Sequence, residues 1–345
     1  MRKRICMALG IILGLIFTLV IFLSLRSNLR TSVEVKSKTT FFRFVPFSYN
    51  SKARHQGKLE EITYETHDYL SGGNPERVIT KHAMVYVPYG YDPTKKYNII
   101  YLMHGMGGNY QTWLGSSNSY RMGKNYLDHM IQKGKMPPTL VVTPSYYQGD
   151  QAYKTNDEDS ELTKVFGEEL KNDLMPVVET VYSTYATKAN AKGFEESRDH
   201  RAFAGFSMGG VTTWYRMCDS MKYFRYFMPY SGSLHWGVES LGSDDGDWDA
   251  SYLASHIKEQ GYGPKDFFVY AGCGALDYGR EVMDPAIESM MKYPAYFKFG
   301  RKTDPETNCM FGISVYEYHT ASCRNRSLYN TFPFVLKKME SMEHN

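Results

Sequence analysis

The sequence of 345 residues predicts an α/β fold: a mostly parallel central sheet with helices on both faces. Three observations predict it. Short, continuous apolar runs recur from Lys58 onward, as strands buried on both faces require. Amphipathic stretches with a period near 3.6 separate them. A glycine-flanked serine joins one such run to one such stretch, the mark of a sharp strand-to-helix turn.

Taken in order, the chain opens on residues 5–25, ICMALGIILGLIFTLVIFLSL, which carry no charge. As a helix they span roughly 30 Å, the thickness of a bilayer's hydrocarbon core. A cleavable signal peptide has only about 7–15 apolar residues and a small-x-small site, which is not found here. Residues 1–25 therefore read as a membrane anchor, with a signal peptide as the alternative. Arg2, Lys3 and Arg4 favour a cytoplasmic N-terminus and an exported remainder, anchored at the cell surface or secreted. Residues 26–56 are polar and basic apart from an aromatic patch at 41–47, and read as a stalk. Residues 57–345 read as one domain, with neither an internal repeat nor a second linker.

Within that domain, AMVYV at 83–87 reads as a strand ended by Pro88 and Gly90. NIIYLM at 98–103 and TLVVT at 139–143 are two more. From Leu162 through Phe166, Leu170 and Leu174 to Val181 the spacing predicts a helix, which Pro176 should kink or break. Strands follow at 201–204, 224–228, 267–271 and 313–318, with a helix from Val211.

The net charge is +3, part of it in the N-terminal cluster, and no basic stripe suggests a nucleic-acid surface. The 29 Tyr and 19 Phe supply packing, or a cleft that stacks on flat or sugar-like ligands. Cys6 lies in the apolar run and Cys218, Cys273, Cys309 and Cys323 in the body, with no C-x-x-C pair to suggest zinc. The four could form two disulfides, a question left open. No metal or cofactor is expected.

Gly205-Phe206-Ser207-Met208-Gly209-Gly210 matches G-x-S-x-G, directly after one strand and directly before a helix. That is the setting of a nucleophile elbow in an α/β-hydrolase. A serine hydroxyl needs a base to take its proton and an acid to orient the base. In this fold the acid and then the histidine follow the serine on loops after later strands. His319 follows the last predicted strand, whereas His235 and His256 come too early and His344 is nearly terminal. Asp277 lies in the loop after the strand at 267–271, with Asp284 as the fallback. The cluster Asp244, Asp245, Asp247 and Asp249 reads as a solvated loop. His104-Gly105-Met106-Gly107-Gly108 follows an early strand, where one oxyanion-hole N–H originates. Met208 N–H is the expected first donor and Met106 N–H the second, with Gly105 or Gly107 close behind. Tyr146, Tyr147 and Trp236 are candidates for lining an acyl cleft.

Several longer motifs carry a resemblance. They are TPSYY from Thr143, FGEELKNDL from Phe166, YSTYA from Tyr182, SRDHRAF from Ser197 and YFMPYSG from Tyr226. Together they make residues 58–337 resemble the feruloyl esterases of carbohydrate esterase family 1, which are esterase D-like α/β-hydrolases. The resemblance implies a Ser207, His319, Asp277 triad and cleavage of ferulate or related hydroxycinnamates from arabinose on plant xylan. The implied partners are a feruloylated or acylated polysaccharide and, through the N-terminal helix, a membrane, with no nucleic acid. Two positions depart from the family: Ser233 where members often carry an acid, and Ala321 where many have Trp. An acetyl esterase or acyltransferase on the same triad is the alternative, and a non-catalytic carbohydrate-binding protein a third.

Overall fold

The computed structural model describes residues 18, 38–70, 72–148, 156–236, 245–301 and 304–342. The strands are β1 (Thr39–Phe41), β2 (Lys58–His67), β3 (Val78–Val87), β4 (Ile99–Met103) and β5 (Leu140–Thr143), then β6 (Arg201–Phe206), β7 (Tyr226–Tyr230), β8 (Phe268–Gly274) and β9 (Cys309–Ser314). They form one sheet in the order β1-β9-β8-β7-β6-β4-β5-β3-β2. Only β2–β3 and β3–β5 pair antiparallel; every other neighbouring pair is parallel. The expected α/β-hydrolase architecture is therefore present.

The helices are α1 (Met122–Gln132), α2 (Asn156–Glu169), α3 (Met175–Val181), α4 (Ala191–Glu196), α5 (Met208–Asp219), α6 (Gly246–Glu259), α7 (Arg280–Met290) and α8 (Ala321–Met342). They cover both faces because the central strands are apolar on both. Along β6, Phe203 packs with Phe166 of α2 and Trp214 of α5 on one side. Ala202 and Ala204 pack with Leu127 of α1 and Phe332 of α8 on the other.

The interruption expected at Pro176 takes the form of a π-turn, Leu170–Leu174, between α2 and α3. Met175 N–H donates to Leu170 O, five residues back. Proline has no N–H to donate and its ring crowds the carbonyl four residues earlier, so a widened turn lets the chain continue.

Two sequence expectations are corrected. The first concerns the stalk over 26–56, because from Thr39 the chain is part of the domain. Thr39 lies opposite Phe311 in the β1–β9 pair, Tyr49 is fully buried, and Phe42 is 3% exposed. The aromatic patch supplies apolar surface that a solvated stalk would leave in water. Phe42 lies over Gly312 of β9, where an added Cβ would meet the ring at 1.9 Å. The second is the last strand, which ends at Ser314 rather than at residue 318. All of β9 is buried, while Tyr316 turns through φ 63° and Tyr316 and Tyr318 are 57% and 46% exposed.

The anchor expected over 1–25 lies outside the described residues except at Thr18, as does 26–37. Among the described residues no helix is long and apolar enough to cross a membrane. Cys218, Cys273, Cys309 and Cys323 are free and buried, and no group of three or more potential metal ligands occurs among the described residues. Burial raises all four thiols well above their ordinary range.

Candidate active site

Parallel strands deliver their C-terminal ends, and the loops that leave them, to one edge of the sheet. Ser207 leaves β6 there, Asp277 leaves β8, His319 leaves β9, and the His104 loop leaves β4.

Ser207 adopts φ 61° and ψ −125°, a conformation that L residues avoid unless their surroundings enforce it. The enforcement is visible. Ser207 N–H donates to Tyr230 O at 2.9 Å, and Ser207 O accepts from Gly210 and Val211 N–H. Gly209 lets α5 start against β4, since a Cβ there would lie 2.4 Å from Met103 O.

His319 Nδ1 donates to Asp277 Oδ1 at 2.7 Å, and Gly279 N–H donates to the same oxygen at 2.7 Å. The Asp277 side chain is fully buried and that of His319 is 12% exposed. A carboxylate that accepts from Nδ1–H fixes the imidazole tautomer and leaves Nε2 as the basic nitrogen. The ring packs between Phe206 and Tyr278, with centroids 4.6 and 4.3 Å away, and meets Trp236 edge-on at 5.7 Å. Ser207 Oγ makes no hydrogen bond with His319 in this structure; such contacts commonly tighten only when substrate binds. The fallback acid Asp284 instead pairs with Arg280. His256 Nδ1 bonds Tyr252 O within its own helix.

In the His104 loop the backbone amides have different fates. Gly108 N–H donates to Gly105 O, and Gly107 N–H to the Tyr147 hydroxyl at 2.9 Å. Gly107 is thereby removed from the alternatives. Met106 N–H has no acceptor among the described residues, and Met208 opens α5, where the first amides lack helical partners. An added Cβ on Gly105 would lie 2.9 Å from Ser207 Cβ, so the loop sits directly against the serine.

His104 underlies that loop. It is fully buried, and burial lowers its pKa to about 4. Its Nδ1 donates to Gly105 O at 2.7 Å, which leaves Nε2 to accept from Ser145 Oγ at 2.8 Å.

Tyr146 and Tyr147, expected in an acyl cleft, are 1% and 4% exposed. Both hydroxyls donate to Asp159 Oδ2, at 3.0 and 2.8 Å, and both rings pack on His104. Their polar ends are engaged inside the protein, so they brace the loop from behind. Trp236 is half-buried, 5.7 Å from His319 and 5.6 Å from Tyr278.

Sequence reasoning missed Asp159 and Asp249. Asp249, read as part of a solvated loop, is 1% exposed and accepts from Ser233 Oγ and His235 Nδ1. A carboxylate thus stands beside Ser233, delivered from α6 where the family often carries an acid at that position itself. Its place beside Asp244, Asp245 and Asp247 concealed it.

The model of a family described as putative esterases matches residues 80–297. Endo-1,4-beta-xylanase Y of Acetivibrio thermocellus is 38% identical over 255 residues, 74% of this chain. An endo-1,4-beta-xylanase/feruloyl esterase of Xylanibacter ruminicola is 26% identical over 250 residues. The matched regions span only 21% and 28% of those two proteins. A mutant of the feruloyl esterase module from Clostridium thermocellum, complexed with sinapinate, superimposes with a TM-score of 0.71 at 34% identity. That match covers 86% of this chain and 94% of the module. A CE1 ferulic acid esterase from Anaeromyces mucronatus shares the fold, with a TM-score of 0.59 at 17% identity.

Proposed function

The chain belongs to the putative esterase family, and from that premise we propose that it is a serine carboxylic-ester hydrolase releasing ferulate or a related hydroxycinnamate from plant cell-wall xylan. The observation that carries the reading is the buried His319–Asp277 pair at the same sheet edge as the strained Ser207 elbow. The names of the xylanase and feruloyl esterase relatives support the substrate class.

In the proposed reaction His319 Nε2 takes the Ser207 proton as Oγ attacks the ester carbonyl. Asp277 holds the ring and stabilises the imidazolium that forms. Met106 and Met208 amides receive the oxyanion. His319 returns the proton to the departing sugar alcohol, and water, activated by the same histidine, hydrolyses the acyl-enzyme. Trp236 and Tyr278, aromatic walls beside His319, suit a flat hydroxycinnamoyl group.

Ser207→Ala should abolish turnover of methyl ferulate, by around a millionfold, with an unchanged unfolding transition. Retention of even a tenth of the wild-type rate would remove Ser207 from its role. The uncharged run at 5–25 supports an exported domain tethered to the membrane, so the full-length protein should sediment with membranes and resist a high-salt wash.

A further inference from the structure

The N-terminal ends of β7, β8 and β9 border a cavity on the opposite edge of the sheet from Ser207. The seven residues of β8 put about 20 Å between the two edges. Its volume is about 260 Å³, just below the roughly 300–1,000 Å³ of pockets for drug-sized ligands. That space suits one ring-sized group.

Cations dominate the lining: Arg225, Lys265, Lys298 and Lys338 against the single carboxylate of Glu306. Two of them are already engaged. Arg225 binds Asp199 and the Lys265 carbonyl, and Lys298 binds Glu306 at 2.9 Å. Lys338 is different. It is half-buried, its ammonium lies 4.9 Å from the centre of the Phe268 ring, and it has no carboxylate partner among the described residues. Burial and the neighbouring Arg225 lower its pKa, a cost that an incoming anion would relieve. Exposed Lys265, which lines the cavity with Glu306, also makes no ion pair among the described residues.

Pro264, Phe267, Phe268 and Pro305 supply the apolar part of the lining, and Asn308 a polar part. Thr307 lines it too, 8% exposed, with its hydroxyl oxygen buried against Gly300 rather than open to the cavity. Apolar surface from two prolines, and two ammonium groups without a carboxylate partner among the described residues, complement a pyranose ring that bears a carboxylate. We propose that this cavity is a binding site for an acidic sugar residue, separate from the ester-cleaving centre. It would hold the charged part of a polysaccharide while ester groups elsewhere on the chain reach Ser207. The site itself does not depend on the esterase reading.

The test titrates the full chain with sodium glucuronate, D-xylose and inorganic phosphate, followed by calorimetry and by amide NMR shifts. Glucuronate should bind in the millimolar range and weaken as salt is raised, and xylose should not saturate at the same concentrations. Lys338→Met and Lys265→Met should each weaken glucuronate by about tenfold. Both should leave the thermal transition and methyl ferulate turnover unchanged. Binding of xylose as tight as that of glucuronate would overturn the charge argument. Phosphate binding as tightly as glucuronate would overturn the sugar argument. Absence of binding, or full binding by both variants, would overturn the site.

Discussion

Tyr147→Phe removes one oxygen and leaves in place a ring packed 5.5 Å from that of His104. The hydroxyl accepts from Gly107 N–H at 2.9 Å and donates to Asp159 at 2.8 Å. Tyr146 still donates to the same Asp159 oxygen in the variant, so the carboxylate keeps one partner there. The Gly107 N–H loses its one partner among the described residues. Gly107 is exposed, so water can replace part of that bond, and the stability loss should lie near the lower end of the about 1–3 kcal/mol expected for an orphaned donor. The effect on rate follows from the neighbouring amide, that of Met106. Complete loss of an oxyanion donor costs about 3 kcal/mol. A donor that is loosened but present should cost a fraction of it, which we set at about tenfold in kcat. Steady-state kinetics on methyl ferulate, beside urea unfolding, provide the measurement. The reasoning requires kcat to fall while KM holds, because the oxyanion exists only in the transition state. An unchanged kcat would refute the bracing role. A raised KM with kcat intact would return Tyr147 to the acyl cleft.

Two further predictions concern the scaffold. Glu179 chelates Arg201 at the start of β6, both oxygens at 2.8 Å, with the two side chains 0% and 1% exposed. Glu179→Ala should therefore destabilise the domain by about 3–5 kcal/mol, because a buried guanidinium is left uncompensated. A loss under about 1 kcal/mol in urea unfolding would contradict that. His104 has a folded pKa of about 4 against 6.5 in the unfolded chain. Between those values the unfolded chain binds a proton that the folded one refuses. His104 should thus remove about 3 kcal/mol of stability as pH falls from about 6.5 to about 4, and nothing further below that. An NMR titration that finds its imidazole protonating at pH 6 or above would refute this assignment.

How legible the molecule was depended on where its apolar pattern was clean. The strands at 98–103, 139–143 and 201–204 came within a few residues because both their faces are buried and few polar residues interrupt them. The elbow was legible because its backbone geometry needs glycine at fixed offsets. Chain order then brought out His319 and Asp277, which the fold places 2.7 Å apart. No helix was read over α1, where Lys124 and Asp128 lie on the buried face. They form a fully buried ion pair at 2.7 Å, and the pairing that makes their burial tolerable also erases the hydrophobic stripe. Helix α7 hides in the same way behind Arg280 and Asp284. The support for the His104 loop was illegible for another reason. Nothing in local sequence joins Tyr147 to Asp159, twelve residues away on α2. The stalk was misjudged because three residues of edge strand are too short to show alternation.

That short edge strand also sets a timetable. Thr40 Oγ1 bonds the carbonyl of Phe311, 271 positions later, and Arg326 bonds the carbonyl of Phe42. A ribosome adds about 5–20 residues per second, so on the order of 10–50 s separate the synthesis of β1 from that of its partner. Throughout that interval Phe42 and Tyr49 have no completed seat. By the time β1 can dock, Ser207, Asp277 and β9 have all been made, and Arg326 emerges only after His319. Closure of this edge is therefore a late step, and the first described strand to be made is among the last to be secured.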